Sequence, residues 1–591
     1  MTALDGKDDQ RGRQPTRAVA FGDGGLTIAD RLEHQARTLS HRRAFSFVQD
    51  GGGAETRTWA QLAAGARGVA AVLADLPRTR EQPRALLLLP DNATFLDALF
   101  GCFYAGVCAV PAHIPIPSRL EQTLPRLVAI VADARPDIVL TTRQILPARE
   151  LVPALAEIPC IAVDDLPLPD ALLDGPPDAP ALESTVGLED LAILQYSSGS
   201  SGTPRGVMVS HANLMANEAM IEDAFGHTSS TVALGWLPFQ HDMGLIGYVI
   251  QPVYVGFECV IMSPLQFLKH PLHWLHEITQ HRATRSGGPN FAYEMCVAAV
   301  ERHGEESLAG LDLSSWELAF VGAEPVRAAT LDRFEATFAK VGFRREAFYP
   351  CYGLAEATLI VAGGRRDEPP TVWRDPVGSA RVSCGHACIG TELAIVDRAL
   401  GARCDDGAEG EIWIRSASVA GGYFGDEQAS RETFAAALDG TPENSRWLRT
   451  GDLGCIVDGE LYITGRAKDV VVKNGVNYAA EDLEHAVEQL RLTPLQPNGC
   501  AAFGHDDGLR ERLVIVSEIA RDAEAEWSEV ADQIVTAVAT AHGTPADSVV
   551  FVNRGGIPRT TSGKIRRSEC RALYSRGELV EVHRHVTGQP T

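Results

Sequence analysis

Residues 197 to 206 read Ser-Ser-Gly-Ser-Ser-Gly-Thr-Pro-Arg-Gly. The run offers many backbone N–H groups, small hydroxyls and one cation, which is the chemistry of a polyphosphate cradle. It is not a Walker A loop, because the spacing from Gly199 to a Gly-Lys-Ser/Thr fails. A flexible Ser/Gly linker is the other reading of such a run. Its setting favours the cradle: the strand-like Leu191–Tyr196 precedes it and Val207-Met-Val-Ser-His211 follows, whereas linkers join domains at polar borders. Lys564 is a second candidate. Of 53 Lys plus Arg, only Lys7, Lys269, Lys340, Lys468, Lys473 and Lys564 are lysines, and the last is retained within Thr-Ser-Gly-Lys. A solvated surface charge is the ordinary alternative. The adjacent His241 and Asp242 suggest a catalytic base or a metal site, but no further ligands are spaced nearby, and the 12 cysteines include no CxxC pair.

The elements that must hold these residues belong to a chain of 591 residues, long enough for several packed domains. With 45% apolar and 22% charged residues it is globular in composition. A net charge of −24 argues against general affinity for nucleic acid or anionic lipid. Met1 to Thr16 lacks the apolar core of a secretory signal, and the greasy stretch Phe95–Val110 is too short to span a bilayer. Free thiols in a reducing cytoplasm are expected. Strand-length apolar runs alternate with helical periods, beginning with Ala85–Leu89, Asp91–Tyr104 and Val107–Val110, which predicts α/β layers with a mainly parallel sheet. Short strands with tight turns, Glu392–Val396, Gly410–Ile414 and Leu461–Thr464, predict a small β-barrel-like subdomain at about 389–464. After Gly465-Arg-Ala-Lys468 a separate α+β pattern follows: strand Asp469–Lys473, helix Glu481–Leu490, strand Leu513–Ile519, helix Ala523–Ala541 and strand Val549–Val552. The division expected is therefore a large multi-subdomain N-terminal part, 1–466, and a smaller C-terminal part, 467–591.

The run Tyr196–His211 resembles the phosphate-binding signature of the adenylate-forming superfamily of acyl-CoA synthetases, peptide-synthetase adenylation domains and luciferases. Further motifs of that superfamily follow in order: Trp236–Leu245, Gly287–Tyr293, Gly322–Pro325, Tyr352–Thr358, Arg449–Asp452, Gly465–Asp469 and Pro558–Arg566. They cover nearly the whole chain, from Thr27 to Arg567. The forms WLPxxHDMGL, GGPNFAY and YGLAEAT resemble the fatty acyl-AMP ligase branch. The resemblance implies ATP- and Mg²⁺-dependent activation of a medium- or long-chain fatty acid to an acyl-adenylate with release of pyrophosphate. Transfer to the phosphopantetheine thiol of a separate acyl carrier protein, in polyketide or nonribosomal lipid biosynthesis, would follow. A fatty acyl-CoA synthetase is the enzyme alternative, and a protein that only binds nucleotide or acyl-adenylate is the non-enzymatic one. An amino-acid adenylation domain would need a carboxylate for the substrate ammonium; only Asp242 is near, and its HDMG setting argues against that use.

Residue by residue, the resemblance implies that Ser197, Ser198, Gly199, Ser200, Ser201 and Gly202 hold phosphate. The nucleotide site would take Gly322, Ala323, Glu324, Tyr352, Gly353, Leu354, Ala355, Asp452 and Arg466, with Tyr352 stacking on adenine and Asp452 gripping the ribose hydroxyls. Glu356 would be the Mg²⁺ ligand; read alone it is a dipole partner at a helix start, as Asp452 read alone is an Asx turn. Lys564 would bridge the substrate carboxylate and the α-phosphate, for which a compact ammonium suits better than a guanidinium fork. Lys468 would be the hinge about which a mobile C-terminal cap turns. His241 is the carboxylate-orienting wall of an acyl pocket shared with Asp242, Met243, Ile246, Gly287, Gly288, Asn290 and Tyr293, where the glycines and Ala292 leave room for an alkyl chain. Two departures stand out. Pro204-Arg205-Gly206 replaces the usual Pro-Lys-Gly, and Gly363–Ser383 is at best a remnant of the insertion associated in this branch with restricted domain motion and refusal of CoA. Finally, Phe551–Arg576 holds seven Lys/Arg and one Glu, a basic segment able to steer an acidic carrier protein. No membrane insertion and no nucleic-acid partner are expected.

Overall fold

The computed structural model describes residues 25–76, 82–116, 120–166, 186–197, 204–375, 378, 380–442, 445–473, 476–506, 511–521, 523–560 and 563–587. Most of the phosphate loop, Ser198, Gly199, Ser200, Ser201 and Gly202, lies outside the described residues. A nine-stranded sheet runs in the order His386–Ala387, Ile360–Gly363, Phe348–Gly353, Leu318–Val321, Arg285–Gly288, Val232–Gly235, Glu258–Ile261, Arg43–Val48, Ala54–Thr58. Its six inner strands are parallel and only its margins antiparallel. Loops that leave the carboxyl ends of neighbouring parallel strands gather at one rim. The motifs at Trp236, Pro289, Gly322 and Leu354 each follow such a strand end, so the topology alone assembles them. A six-stranded sheet, Cys160–Ala162, Ile138–Thr141, Arg84–Leu87, Cys108–Pro111, Leu191–Ser197 and Arg205–Ser210, closes on an antiparallel hairpin whose two strands flank the phosphate loop.

The greasy stretch is a buried helix, Ala93–Ala105, started by Asn92, whose side chain accepts from Thr94 N, and ended by Gly106 at φ 66°. It crosses helix Trp59–Ala74 closely, with Gly101 against Val69 and Gly65 against Asp97, so larger residues at either glycine would clash. Asp97 is only 6% exposed and its Oδ1 has no hydrogen-bond partner. Burial pushes its carboxyl up to about 7, partly opposed by Arg57 and reinforced by Glu55. The folded state therefore holds a proton that the unfolded chain releases near pH 4. This contribution to stability is complete below that value and is lost as pH rises toward about 7. Asp97→Asn, which stays neutral, is expected to raise the melting temperature at pH 8, by at most about 4 kcal/mol in stability, with the gain disappearing near pH 4. A pH-independent difference in thermal unfolding would refute this.

A four-stranded antiparallel sheet, Glu392–Val396, Gly410–Arg415, Leu448–Val457 and Glu460–Arg466, forms the expected β-rich unit. Its long connection also carries a short helix, Glu427–Phe434. Beyond it come the hairpin Val470–Lys473/Val476–Ala479, helix Ala480–Glu488, and a sheet of Leu495–Asp506, Glu511–Ile519, Ser548–Val552 and Glu581–Val586 with helices Trp527–His542 and Arg567–Arg576. Strands Leu495–Asp506 and Glu581–Val586 and helix Arg567–Arg576 were not expected. Pro497-Asn498-Gly499 interrupts the first with a register shift and puts Asn498 at φ 54°, and the helix buries only Cys570. Apolar clusters divide the same way: one spans Ile28 to Leu461, and separate ones lie within Val471 to Leu579. Among the described residues no helix is long and apolar enough to cross a membrane.

Candidate active site

One cleft of about 2810 Å³ runs from the rim of the nine-stranded sheet to the face of the C-terminal unit. After strand Val232–Gly235 the chain turns at His241, whose Nδ1 lies 2.6 Å from Asp242 Oδ1, and Met243 N donates to the same carboxylate at 2.8 Å. Gly244 passes so close to the Pro238 carbonyl that a Cβ would collide with it, and Leu245–Ile250 continues as a π-helix, a form common at functional sites. Burial pushes the Asp242 carboxyl up, but His241, Lys564 and the Met243 amide outweigh it and hold it below the usual value. Asp91 fixes the loop from the other sheet by accepting from Phe239 N at 3.1 Å and Gln240 Nε2 at 3.0 Å; burial leaves its carboxyl at about 6 despite both bonds.

Near the end of strand Phe348–Gly353 lies Tyr352, whose hydroxyl donates to Asp452 Oδ2 at 2.8 Å, while Arg466 Nε donates to Asp452 Oδ1 at 2.8 Å. Asp452 sits in strand Leu448–Val457 rather than in the turn expected for it. Both its oxygens are engaged, though a carboxylate has lone pairs to accept more. Glu356 lies in a 3-10 turn, Ala355–Ala357, not at an α-helix start, and accepts from the Tyr423 hydroxyl at 2.8 Å. Its carboxyl is raised by burial, against the lowering effects of Tyr423 and Arg466. Arg205, beside the phosphate loop, stacks over the same Tyr423 ring at 5.1 Å. Within these motif loops two non-glycine residues hold positive φ, Ala323 at 64° and Thr358 at 69°, and such strain gathers at functional sites.

Across the cleft, Lys564 ends a tight loop in which Thr560 N donates to Lys564 O at 2.7 Å and Lys564 N donates to Thr560 Oγ1 at 3.0 Å. Its ammonium is lowered by burial and by Arg466, and supported by Asp242, Glu324 and Asp452. Those residues come from separate motifs, so the lysine faces their convergence. Glu324 accepts from Phe291 N at 2.6 Å, and Asn290 spans Thr330 Oγ1 and Arg327 N, both at 3.1 Å. Lys468 lines the cleft where strand Glu460–Arg466 passes into the C-terminal unit.

Thus His241, Asp242, Met243, Asn290, Ala323, Glu324, Tyr352, Gly353, Leu354, Ala355, Glu356, Asp452, Arg466, Lys468 and Lys564 share one cleft. Ser197, in strand Leu191–Ser197, pairs with Arg205 at the base of the loop, and Gly322 packs against Cys351 behind the rim. The acyl expectations need correction at four positions. The space beside Gly287 is filled by Phe320 and that beside Gly288 by Trp236, so these glycines admit protein side chains, not an alkyl chain. Tyr293 is a core residue, its hydroxyl donating to Phe320 O at 2.8 Å, and Ile246 is buried behind the cleft wall. Sequence reasoning missed Asp91, Tyr423, His113 and Arg126. Arg126 donates to Tyr196 O at 3.0 Å and feels the charge of Arg566 from the C-terminal unit; burial, with Arg126 and His241 adding to it, holds His113 at about 4. No motif spacing announces them, because each reaches the cleft only through tertiary packing.

Comparison with known proteins gives the following. The AMP-binding enzyme family matches residues 32–424, and residues 468–584 match the AMP domain of the Disco-interacting protein 2-like family. The medium-chain-fatty-acid–[acyl-carrier-protein] ligase JamA of Moorena producens is 39% identical over 94% of this chain and 96% of its own. The long-chain-fatty-acid–AMP ligase FadD23 of Mycobacterium tuberculosis is 34% identical over 94% of this chain and 98% of its own. The crystal structure of the Legionella pneumophila fatty acyl-adenylate ligase in complex with acyl adenylate and pyrophosphate superposes with a TM-score of 0.70 at 35% identity, covering 95% and 98% of the two chains.

Proposed function

We propose, from the premise that the chain belongs to the AMP-binding enzyme family and to its fatty acyl-AMP ligase branch, that it activates a fatty acid with ATP and passes the acyl group to a carrier-protein thiol. The observation that carries this reading is that Lys564 lines the same cleft as Asp242, Glu324, Asp452, Tyr352 and Arg466, residues of five separate motifs. Attack by a fatty carboxylate oxygen on the α-phosphorus forms the acyl-phosphate bond and breaks the bond to pyrophosphate, which leaves with the electron pair. No base is needed. Lys564 offsets charge between the two reacting anions, Asp452 and Tyr352 hold the nucleoside, and His241, fixed by Asp242, orients the carboxylate.

A divalent cation fits Glu356: the carboxylate is half-buried, raised by burial, and hydrogen-bonded on Oε1 by Tyr423, leaving an oxygen for a hard cation. Mg²⁺ bound there would neutralise phosphate charge. The C-terminal part, residues 467–591, acts as a cap turning at Lys468. The hairpin Val372–Arg374/Ala380–Val382, within the shortened insertion, ties that cap down: Arg381 donates to both Asp482 oxygens at 2.9 and 2.6 Å. That contact supports restricted rotation and a carrier protein, not CoA, as acceptor. The name of JamA, an acyl-carrier-protein ligase, favours the same acceptor, and that of FadD23 favours formation of the acyl-adenylate.

Incubating the protein with ATP, Mg²⁺ and fatty acid, together with CoA or holo-carrier protein, tests this. Acyl-carrier protein is the expected product, with little acyl-CoA; robust acyl-CoA formation would overturn the acceptor assignment, and absence of fatty-acid-dependent ATP–pyrophosphate exchange the whole reading.

A further inference from the structure

A buried histidine that the adenylation chemistry does not use lies at the opposite ends of the same strands. The cleft extends past Tyr248, Leu359 and Phe320 to Ile221 and Phe225, and its lining there includes His227 and Arg285. His227 precedes strand Val232–Gly235 and Arg285 begins strand Arg285–Gly288, so this end lies one strand length, about 10 Å, from the motif loops. That limb is apolar along its walls and of a length that a medium acyl chain would fill.

Its far end is not wholly apolar. His227 is 7% exposed and stacks on Phe257 at 4.7 Å, yet its Nδ1 has no partner and its ring makes no hydrogen bond among the described residues. Burial, with the Arg285 and Arg366 charges adding to it, drops the imidazole to about 3, so the ring is neutral and offers one donor and one acceptor. Arg285 is already committed: its Nε donates to Phe225 O at 3.1 Å, and its guanidinium pairs with Glu317 at 2.6 Å. A terminal methyl would leave the buried imidazole nitrogen without a partner, which is unfavourable. A neutral oxygen would satisfy it without adding charge.

We infer that this limb is a subsite for a fatty acid bearing a hydroxyl or oxo oxygen near its distal end, with His227 as the residue that selects it. The inference rests on the proposed acyl-adenylating function. A site built to hydrogen-bond an oxygen discriminates more sharply than one that only accepts methylenes.

The test is ATP–pyrophosphate exchange by the full-length protein with straight-chain acids from hexanoic to dodecanoic, their ω-hydroxy and terminal oxo counterparts, and the matching diacids. At the length that reaches His227, the hydroxy or oxo acid should exceed the plain acid in kcat/KM by about tenfold. His227→Phe should collapse that ratio, and His227→Asn should restore part of it; circular dichroism and a melting curve establish that each variant folds. Preference for plain acids or diacids at every length overturns the inference while leaving the ligase reading intact. So does an unchanged ratio in folded His227→Phe. No exchange with any acid overturns both.

Discussion

Lys564→Ala is expected to lower fatty-acid-dependent ATP–pyrophosphate exchange by about two to three orders of magnitude, while transfer from supplied acyl-AMP to holo-carrier protein is largely retained. The magnitude follows from removing one preorganised donor at developing charge in a site sheltered from water. The split follows from position. Lys564 faces Asp242, Glu324 and Asp452 from a loop of the C-terminal unit, and a cap that turns away for thiol transfer takes the lysine with it. Lys564→Arg keeps the charge but replaces a compact ammonium with a broad planar fork, so recovery should be slight. Single-turnover formation of acyl-AMP and transfer from synthetic acyl-AMP, measured separately, decide the matter. Unaltered exchange would remove the lysine from the mechanism, and equal loss in both steps would assign it to the fold.

Why Lys564 could be singled out in the sequence, and Tyr423 could not, is a matter of where the information lies. The parallel core was legible because buried strands are continuous apolar runs and the intervening helices keep their own period, as in Arg84–Leu87 followed by Ala93–Ala105. The rim motifs were legible because each is a short loop bound to one strand end. Lysine scarcity was a weaker guide than it looked. Lys473, another of the six, forms an ion pair with Asp547 at 2.6 Å, buried at 8% and 13% side-chain exposure, and donates to Pro545 O, a structural use with no chemistry attached. Tyr423, Asp91 and Arg126 reach the cleft from distant segments, so only packing identifies them. The glycines of the GGPNFAY motif were misjudged for a related reason. A missing side chain creates room only if nothing else moves in, and Phe320 and Trp236 do. The C-terminal helix Arg567–Arg576 escaped because an Arg-rich helix that buries a single cysteine has almost no apolar period to detect.

That helix begins with the residue whose loss should cost most in stability. Arg567→Met is expected to destabilise the C-terminal part by about 3–5 kcal/mol. Arg567 donates to Glu484 through Nε at 2.7 Å and through a second nitrogen at 2.8 Å, to Asp469 at 2.8 Å and to Glu481 at 3.1 Å, with its side chain 15% exposed. One planar guanidinium therefore ties together the residue after Lys468, two turns of helix Ala480–Glu488 and the segment that carries Lys564. Removing it leaves three buried or half-buried carboxylates facing one another, and burial already raises the carboxyl of Glu481. Arg567→Lys returns the charge without the fork and should recover only part of the loss. Adding Glu484→Gln to Arg567→Met should recover another part, because it removes one of the stranded charges. Urea unfolding followed by tryptophan fluorescence, to which Trp527 in helix Trp527–His542 contributes from this unit, should show it melting at lower denaturant, and hydrogen exchange should quicken first in helix Ala480–Glu488. If the transition does not move, the four-residue cluster is not what holds the cap together. If it moves and exchange activity falls with it, the same arginine that stabilises the unit also sets the position of the catalytic ammonium three residues before it.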